Sequence, residues 1–234
     1  MMTTEVPDEV RDRMVLGLDV GGLAQAEAVA KRVAPWFDLV KIGHELYAEA
    51  GPMAFERFHE LGFRVFCDLK FHDIPNTVER AARAHARYGV EFMNAHAAGG
   101  ETMLRAFVEG AHAGAADIGA PPPVTLAVTV LTSEPDASAF PERLAVARAA
   151  GCDGVVCSAH EASQAVVAGL RTMVPGVRLR GGDTNDQARV ATPGAAIAAG
   201  ADWIVLARSI TAAPDPEAAA ATAAHEVAAA LAAE

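Results

Sequence analysis

Three aspartates and two lysines in this chain stand at spacings that suit chemistry on an unstable anion. The run Asp68-Leu69-Lys70-Phe71-His72-Asp73-Ile74-Pro75-Asn76-Thr77 follows directly on the apolar stretch 63–67, and Asp19 and Lys41 close two earlier apolar stretches. Side chains alternate along a strand, so Asp68 and Lys70 project to one side where the strand runs out; the Ile-Pro pair then turns the chain away from extended pairing. Alternating signs hold each group in its ionised form, because a lysine among carboxylates stays an ammonium and a carboxylate between lysines stays charged. No Ser, Cys or His forms a nucleophile-base pair with them. A protonated lysine in that setting suits stabilising and then protonating a developing carbanion rather than acyl transfer, with Lys70 as the natural proton donor.

A second group lies toward the C-terminus. Arg178 follows Pro175-Gly176-Val177, and Arg208 follows Leu206-Ala207. A guanidinium clasps phosphate with paired hydrogen bonds, which makes the two arginines candidate phosphate ligands. Between them runs Gly181-Gly182-Asp183-Thr184-Asn185-Asp186-Gln187, a loop expected to close over a ligand, with Gln187 donating an amide hydrogen bond and the glycines giving hinge freedom. His72 sits inside the first run but on the opposite side of an extended segment, and is read as structural. His44, His96 and His160 lack any metal-ligand spacing, so neither a metal nor another cofactor is indicated.

The elements that must position these groups are short apolar runs at 15–20, 37–42, 63–67, 92–97, 124–131, 154–157, 173–179 and 203–207, each followed by a longer amphipathic stretch. Met103, Leu104, Phe107, Val108 and Ala111 show the helical spacing most clearly, and the Ala-rich stretch 218–234 reads as a last helix. Eight strand-helix units predict an α/β fold, a single-domain TIM (β/α)8 barrel spanning 1–234 with 1–13 as a polar N-terminal extension; continuous apolar strands signal burial on both faces. An open doubly wound sheet is the alternative, without a G-x-G-x-x-G to support its dinucleotide-binding form. In a barrel, Asp19, Lys41, Asp68, Lys70 and Asp73 are expected around one cavity at the C-terminal rim, with both arginines at the ends of strands seven and eight, where barrels commonly bind phosphate.

Composition narrows the partners. Of 234 residues, 52% are hydrophobic and 21% charged, a globular balance, and the net charge of -11 opposes binding to nucleic acid. Three cysteines with no C-x-x-C pair fit a reducing compartment. No signal-peptide core or membrane span is read, so a cytoplasmic location is expected.

Across nearly its whole length the sequence resembles orotidine 5'-phosphate decarboxylases. The resemblance rests on Leu18-Asp19-Val20, Val40-Lys41-Ile42-Gly43, the Asp68-to-Thr77 run, Asn94-Ala95-His96-Ala97-Ala98-Gly99-Gly100, Val130-Leu131-Thr132-Ser133, Pro175-Gly176-Val177-Arg178, Asp186-Gln187-Ala188-Arg189-Val190 and Arg208-Ser209-Ile210. It implies that Lys70 protonates C6 of the pyrimidine, Asp68 faces the departing carboxylate, and Lys41 and Asp73 complete a charged tetrad. Asp19 and Lys41 would bind ribose, Thr132 and Ser133 the base, Gln187 both base and phosphate, and Arg178 with Arg208 the phosphate, with Ile74 and Ala207 also at the substrate. The resemblance further implies a homodimer in which Asp73 and Thr77 enter the neighbouring site. Ala207 stands where the family usually has Gly, so its methyl is expected to crowd the phosphate; His44 stands where an apolar residue is common.

Two rivals remain. A sugar-phosphate decarboxylase such as a 3-keto-gulonate-6-phosphate decarboxylase shares the Asp-x-Lys-x-x-Asp motif but carries a magnesium-binding glutamate where this chain has Lys41, and an ammonium cannot ligate a hard cation. A non-catalytic nucleotide-binding barrel would keep the arginines and lack the chemistry.

Overall fold

Eight strands, β1 (Met14–Gly17), β2 (Leu39–Ile42), β3 (Arg64–Phe71), β4 (Phe92–His96), β5 (Val124–Val128), β6 (Gly154–Val156), β7 (Arg171–Val174) and β8 (Trp203–Leu206), pair in sequence order, all parallel, and β8 returns to β1 to close a barrel. The structure is a computed structural model and describes residues 6–179 and 191–233. Alternate strand residues divide between two cores. Val15, Leu39, Phe66, Phe92, Leu126, Val128, Val156, Met173 and Val205 fill the interior, while Val40, Val65, Met93, Ala127, Val155 and Ile204 face the surrounding helices. Burial on both faces is why the strands read as continuous apolar runs.

The N-terminal end of the barrel is sealed. Trp203 packs edge-on against Phe92 with ring centroids 4.9 Å apart, and the Arg171 guanidinium lies 5.0 Å over the Trp203 ring. Arg64 binds Asp12 and Asp38 at 2.8 Å and Glu91 at 3.0 Å. The segment before β1 takes part: Val10 is buried on the helix Asp8–Arg11, and Arg13 reaches Asp202. With that end closed, the barrel interior opens toward the C-terminal rim.

Strand ends differ from the sequence expectation where the backbone is irregular. The third strand, expected to stop at residue 67, continues to Phe71, because Cys67 pairs with Met93 but Phe71 with Ala95, so four steps along β3 match two along β4. Asp68 and Lys70 therefore lie within the strand. The fifth stops at Val128, short of residue 131, and the seventh runs from Arg171 to Val174 rather than over 173–179, since Pro175 and Gly176 (φ 76°) end it.

The helix Gly100–Asp117 buries Met103, Leu104, Phe107, Val108 and Ala111, the stripe expected from their spacing. It packs closely on Pro75–Ala86, the helix that carries Thr77: a Cβ at Gly110 would collide with the Glu79 carbonyl and one at Gly114 with the Arg83 carbonyl. Gly110→Ala is expected to destabilise the fold by roughly 1–3 kcal/mol through overpacking, despite alanine's higher helix propensity. A lower urea midpoint at constant slope checks this; an unchanged or raised midpoint refutes the close approach.

Candidate active site

Asp19 lies just beyond β1, Lys41 within β2, and Asp68 and Lys70 within β3, and their side chains meet. Lys41 Nζ is 3.0 Å from Asp19 Oδ1 and 3.1 Å from Asp68 Oδ2, and Lys70 Nζ is 2.7 Å from Asp68 Oδ1. Asp68 thus gives one carboxylate oxygen to each lysine. Asn94, fully buried on β4, donates its amide to Asp68 Oδ1 at 2.7 Å and accepts the Lys70 backbone N–H at 2.8 Å. Lys41 and Asp68 are buried, whereas the Lys70 side chain stays 27% exposed, so its ammonium is the more accessible of the two.

Burial by itself would lower the Lys41 pKa, but the charges of Asp68 and Asp19 outweigh it and hold the ammonium above its ordinary value. Burial likewise pushes the Asp68 carboxyl up, and the charges of Lys41 and Lys70, with hydrogen bonds from Lys70 and Asn94, bring it below its ordinary value. Both groups are therefore ionised at neutral pH. Lys70 is the one described residue other than glycine with positive φ, 49°. The left-handed conformation costs a lysine about 1–2 kcal/mol, strain located at the residue that presents the ammonium.

Asp19, Lys41, Asp68 and Lys70 line a cavity of about 380 Å³. Val128, Val156 and Val205 supply apolar lining, Thr132 and Ser133 stand on the loop after β5, and Arg178, Ala207 and Arg208 line the same cavity after β7 and β8. Arg178 is buried and donates to the Val177 carbonyl at 3.1 Å; Arg208 is exposed and begins the short helix Arg208–Thr211. The Ala207 methyl sits against Gly17, where an added Cβ would come within 2.8 Å of it. Gly181, Gly182 and Gln187 lie outside the described residues.

Asp73 is placed differently from the other charges. Its carboxylate accepts the Ile74 N–H at 2.7 Å, and with Thr77, His44, His72 and His96 it lines an adjoining depression instead of the main cavity. Within one chain, then, four of the five expected charges share a cavity. Asp73, Ile74 and Thr77 are all exposed. His72 points away from the cavity, its ring 5.4 Å from that of His96. His44 lines both hollows. Asn94 has no role readable from sequence alone; the available signal is an amide two residues from Phe92, on the inward-facing side of β4.

A charged array, apolar valines and two arginines lining one cavity fit a planar ring joined to an anionic tail. Residues 12–223 match the family described as orotidine 5'-phosphate decarboxylase / HUMPS. The chain belongs to that family. Among its relatives, the orotidine 5'-phosphate decarboxylase of Halorhodospira halophila is 49% identical over 233 residues, covering 93% of this chain and 97% of that protein. That of Moorella thermoacetica is 44% identical, covering 93% and 92%. The crystal structure of the orotidine 5'-phosphate decarboxylase of Lactobacillus acidophilus matches with a TM-score of 0.76 at 32% identity, covering 92% of this chain and 99% of that one.

Proposed function

We infer that this protein converts orotidine 5'-monophosphate to UMP and carbon dioxide in pyrimidine synthesis, with Lys70 as proton donor. The observation that carries the assignment is the Asp19–Lys41–Asp68–Lys70 array in a cavity that Arg178 and Arg208 also line. The bond from C6 to the carboxylate breaks and its electron pair stays on C6, in the ring plane, where the π system cannot take it up. Fixed charge must hold that anion until the Lys70 ammonium delivers its proton. Lys70 is left as an amine and regains a proton from solvent after UMP leaves.

The remaining groups bind and orient. Asp19 and Lys41 take the ribose hydroxyls, Thr132 and Ser133 the base, and Arg178, Arg208 and Gln187 the phosphate, with Ala207 beside it. Binding energy from that remote phosphate aligns C6 over Lys70. Asp68 faces the substrate carboxylate. The exposed Asp73, Ile74 and Thr77 belong to a homodimer interface, where Asp73 completes the tetrad of the neighbouring site; their outward position supports this reading. No helix among the described residues is long and apolar enough to cross a membrane. All three cysteines are free and buried, which accords with a reducing, cytoplasmic setting.

Mixing the protein with orotidine monophosphate and following the loss of ultraviolet absorption tests the assignment. Turnover that survives a chelator separates this reading from a magnesium-dependent sugar-phosphate decarboxylase, and binding without turnover would instead establish a non-catalytic nucleotide barrel. Arg208→Ala is expected to lower kcat/KM by about 100-fold, the scale of losing a charged partner for the phosphate. Unchanged kinetics would mean that another group holds it.

A further inference from the structure

On the reading that this cavity decarboxylates orotidine monophosphate, we propose that Asn94 is the positioning residue of the reaction, fixing both the backbone of Lys70 and the carboxylate of Asp68 through one side-chain amide.

The geometry begins with the irregular pairing of β3 and β4. Between Cys67–Met93 and Phe71–Ala95 the two strands fall out of step, so the Lys70 N–H has left the regular ladder. A buried N–H without an acceptor is costly, and here the acceptor is the Asn94 side-chain oxygen at 2.8 Å. That bond secures Lys70 in its left-handed conformation, φ 49°, which no other described residue but glycine adopts. The other half of the amide is equally committed: its N–H donates at 2.7 Å to Asp68 Oδ1, the oxygen that also receives Lys70 Nζ at 2.7 Å.

Asn94 therefore closes a ring of contacts from the Lys70 backbone, through the amide, to the carboxylate and back to the Lys70 ammonium. The ring sets which Asp68 oxygen faces Lys70 and leaves Oδ2 for Lys41 at 3.1 Å. A side chain with no hydrogen on one end and no lone pair on the other cannot replace it: leucine offers neither group, and aspartate keeps the acceptor, loses the donor and sets a second negative charge beside Asp68. Asn94 does not line the cavity, so it acts through its neighbours and not on the substrate.

Steady-state turnover of orotidine monophosphate by wild type, Asn94→Leu and Asn94→Asp tests the proposal, with circular dichroism and UMP binding reporting the folded fraction. Both variants are expected to lose about 100-fold in kcat, the scale of a misplaced reacting group, while KM and UMP affinity stay within threefold because the ribose and phosphate contacts are untouched. A residue that only filled space would leave kcat intact in the leucine variant. A folded variant of either kind with kcat within threefold of wild type overturns the proposal, and so does a kcat loss matched by an equal loss of UMP affinity. If the leucine variant does not fold, the nearly isosteric aspartate variant decides alone. Wild-type protein that fails to turn over orotidine monophosphate would sink the underlying assignment instead, a separate outcome.

Discussion

Lys70→Ala is expected to give a folded barrel that binds UMP and has lost at least about 10⁴-fold in kcat, since the substitution removes both a general acid and a charge placed for the anion. The fold should survive for local reasons. The backbone N–H of residue 70 keeps its acceptor on Asn94, and Asp68 keeps Lys41 at 3.1 Å as counter-ion. Alanine bears the left-handed backbone no worse than lysine does. Single-turnover measurements at saturating substrate read the chemical step directly, and UMP affinity within tenfold of wild type would show that the cavity persists. Residual kcat within about 100-fold of wild type would reject Lys70 as proton donor, because a general acid alone contributes about that much or more.

Asp68→Asn carries the second large effect. The shape is retained and the central negative charge vanishes, so Lys41 and Lys70 lose the carboxylate they share. A drop of roughly 10³-fold in kcat/KM is expected, on the scale of removing one preorganised electrostatic contact from a dry site. The direction of KM then discriminates between two roles. If Asp68 repels the substrate carboxylate, the variant binds substrate more tightly and KM falls together with kcat; if Asp68 serves only to hold the lysines, KM stays or rises.

The same variant has a signature in stability. In the folded protein the Asp68 carboxyl ionises below its ordinary value, since the charges of Lys41 and Lys70 outweigh the upward push of burial. Its contribution is thus present above the unfolded-state pKa, about 4, and is lost as pH falls through the lower folded value. Urea midpoints of wild type should decline on that acid side more steeply than those of Asp68→Asn. Parallel curves would mean that Asp68 titrates alike in both states.

Much of this was legible in the residues. Apolar runs buried on both faces, separated by helical spacing, specified the barrel because each strand contributes to two cores at once. Strand alternation likewise placed Asp68 and Lys70 on one side, and the spacing of Asp19 and Lys41 put their charges at neighbouring strand ends, where the ion pairs form. These are local rules of side-chain direction, and they hold within a few residues of any position.

Tertiary structure alone decided the rest. The extension of β3 to Phe71, the left-handed Lys70 and the two-sided grip of Asn94 all come from how β3 and β4 fall out of step, a relation between segments more than twenty residues apart in sequence. Asp73 is five residues from Asp68, yet the turn before the helix Pro75–Ala86 commits its carboxylate to the Ile74 N–H and faces it into a different hollow. Sequence spacing determines which charges lie near a strand end; pairing register and helix entry determine which of them meet, because those set the backbone direction from which each side chain departs.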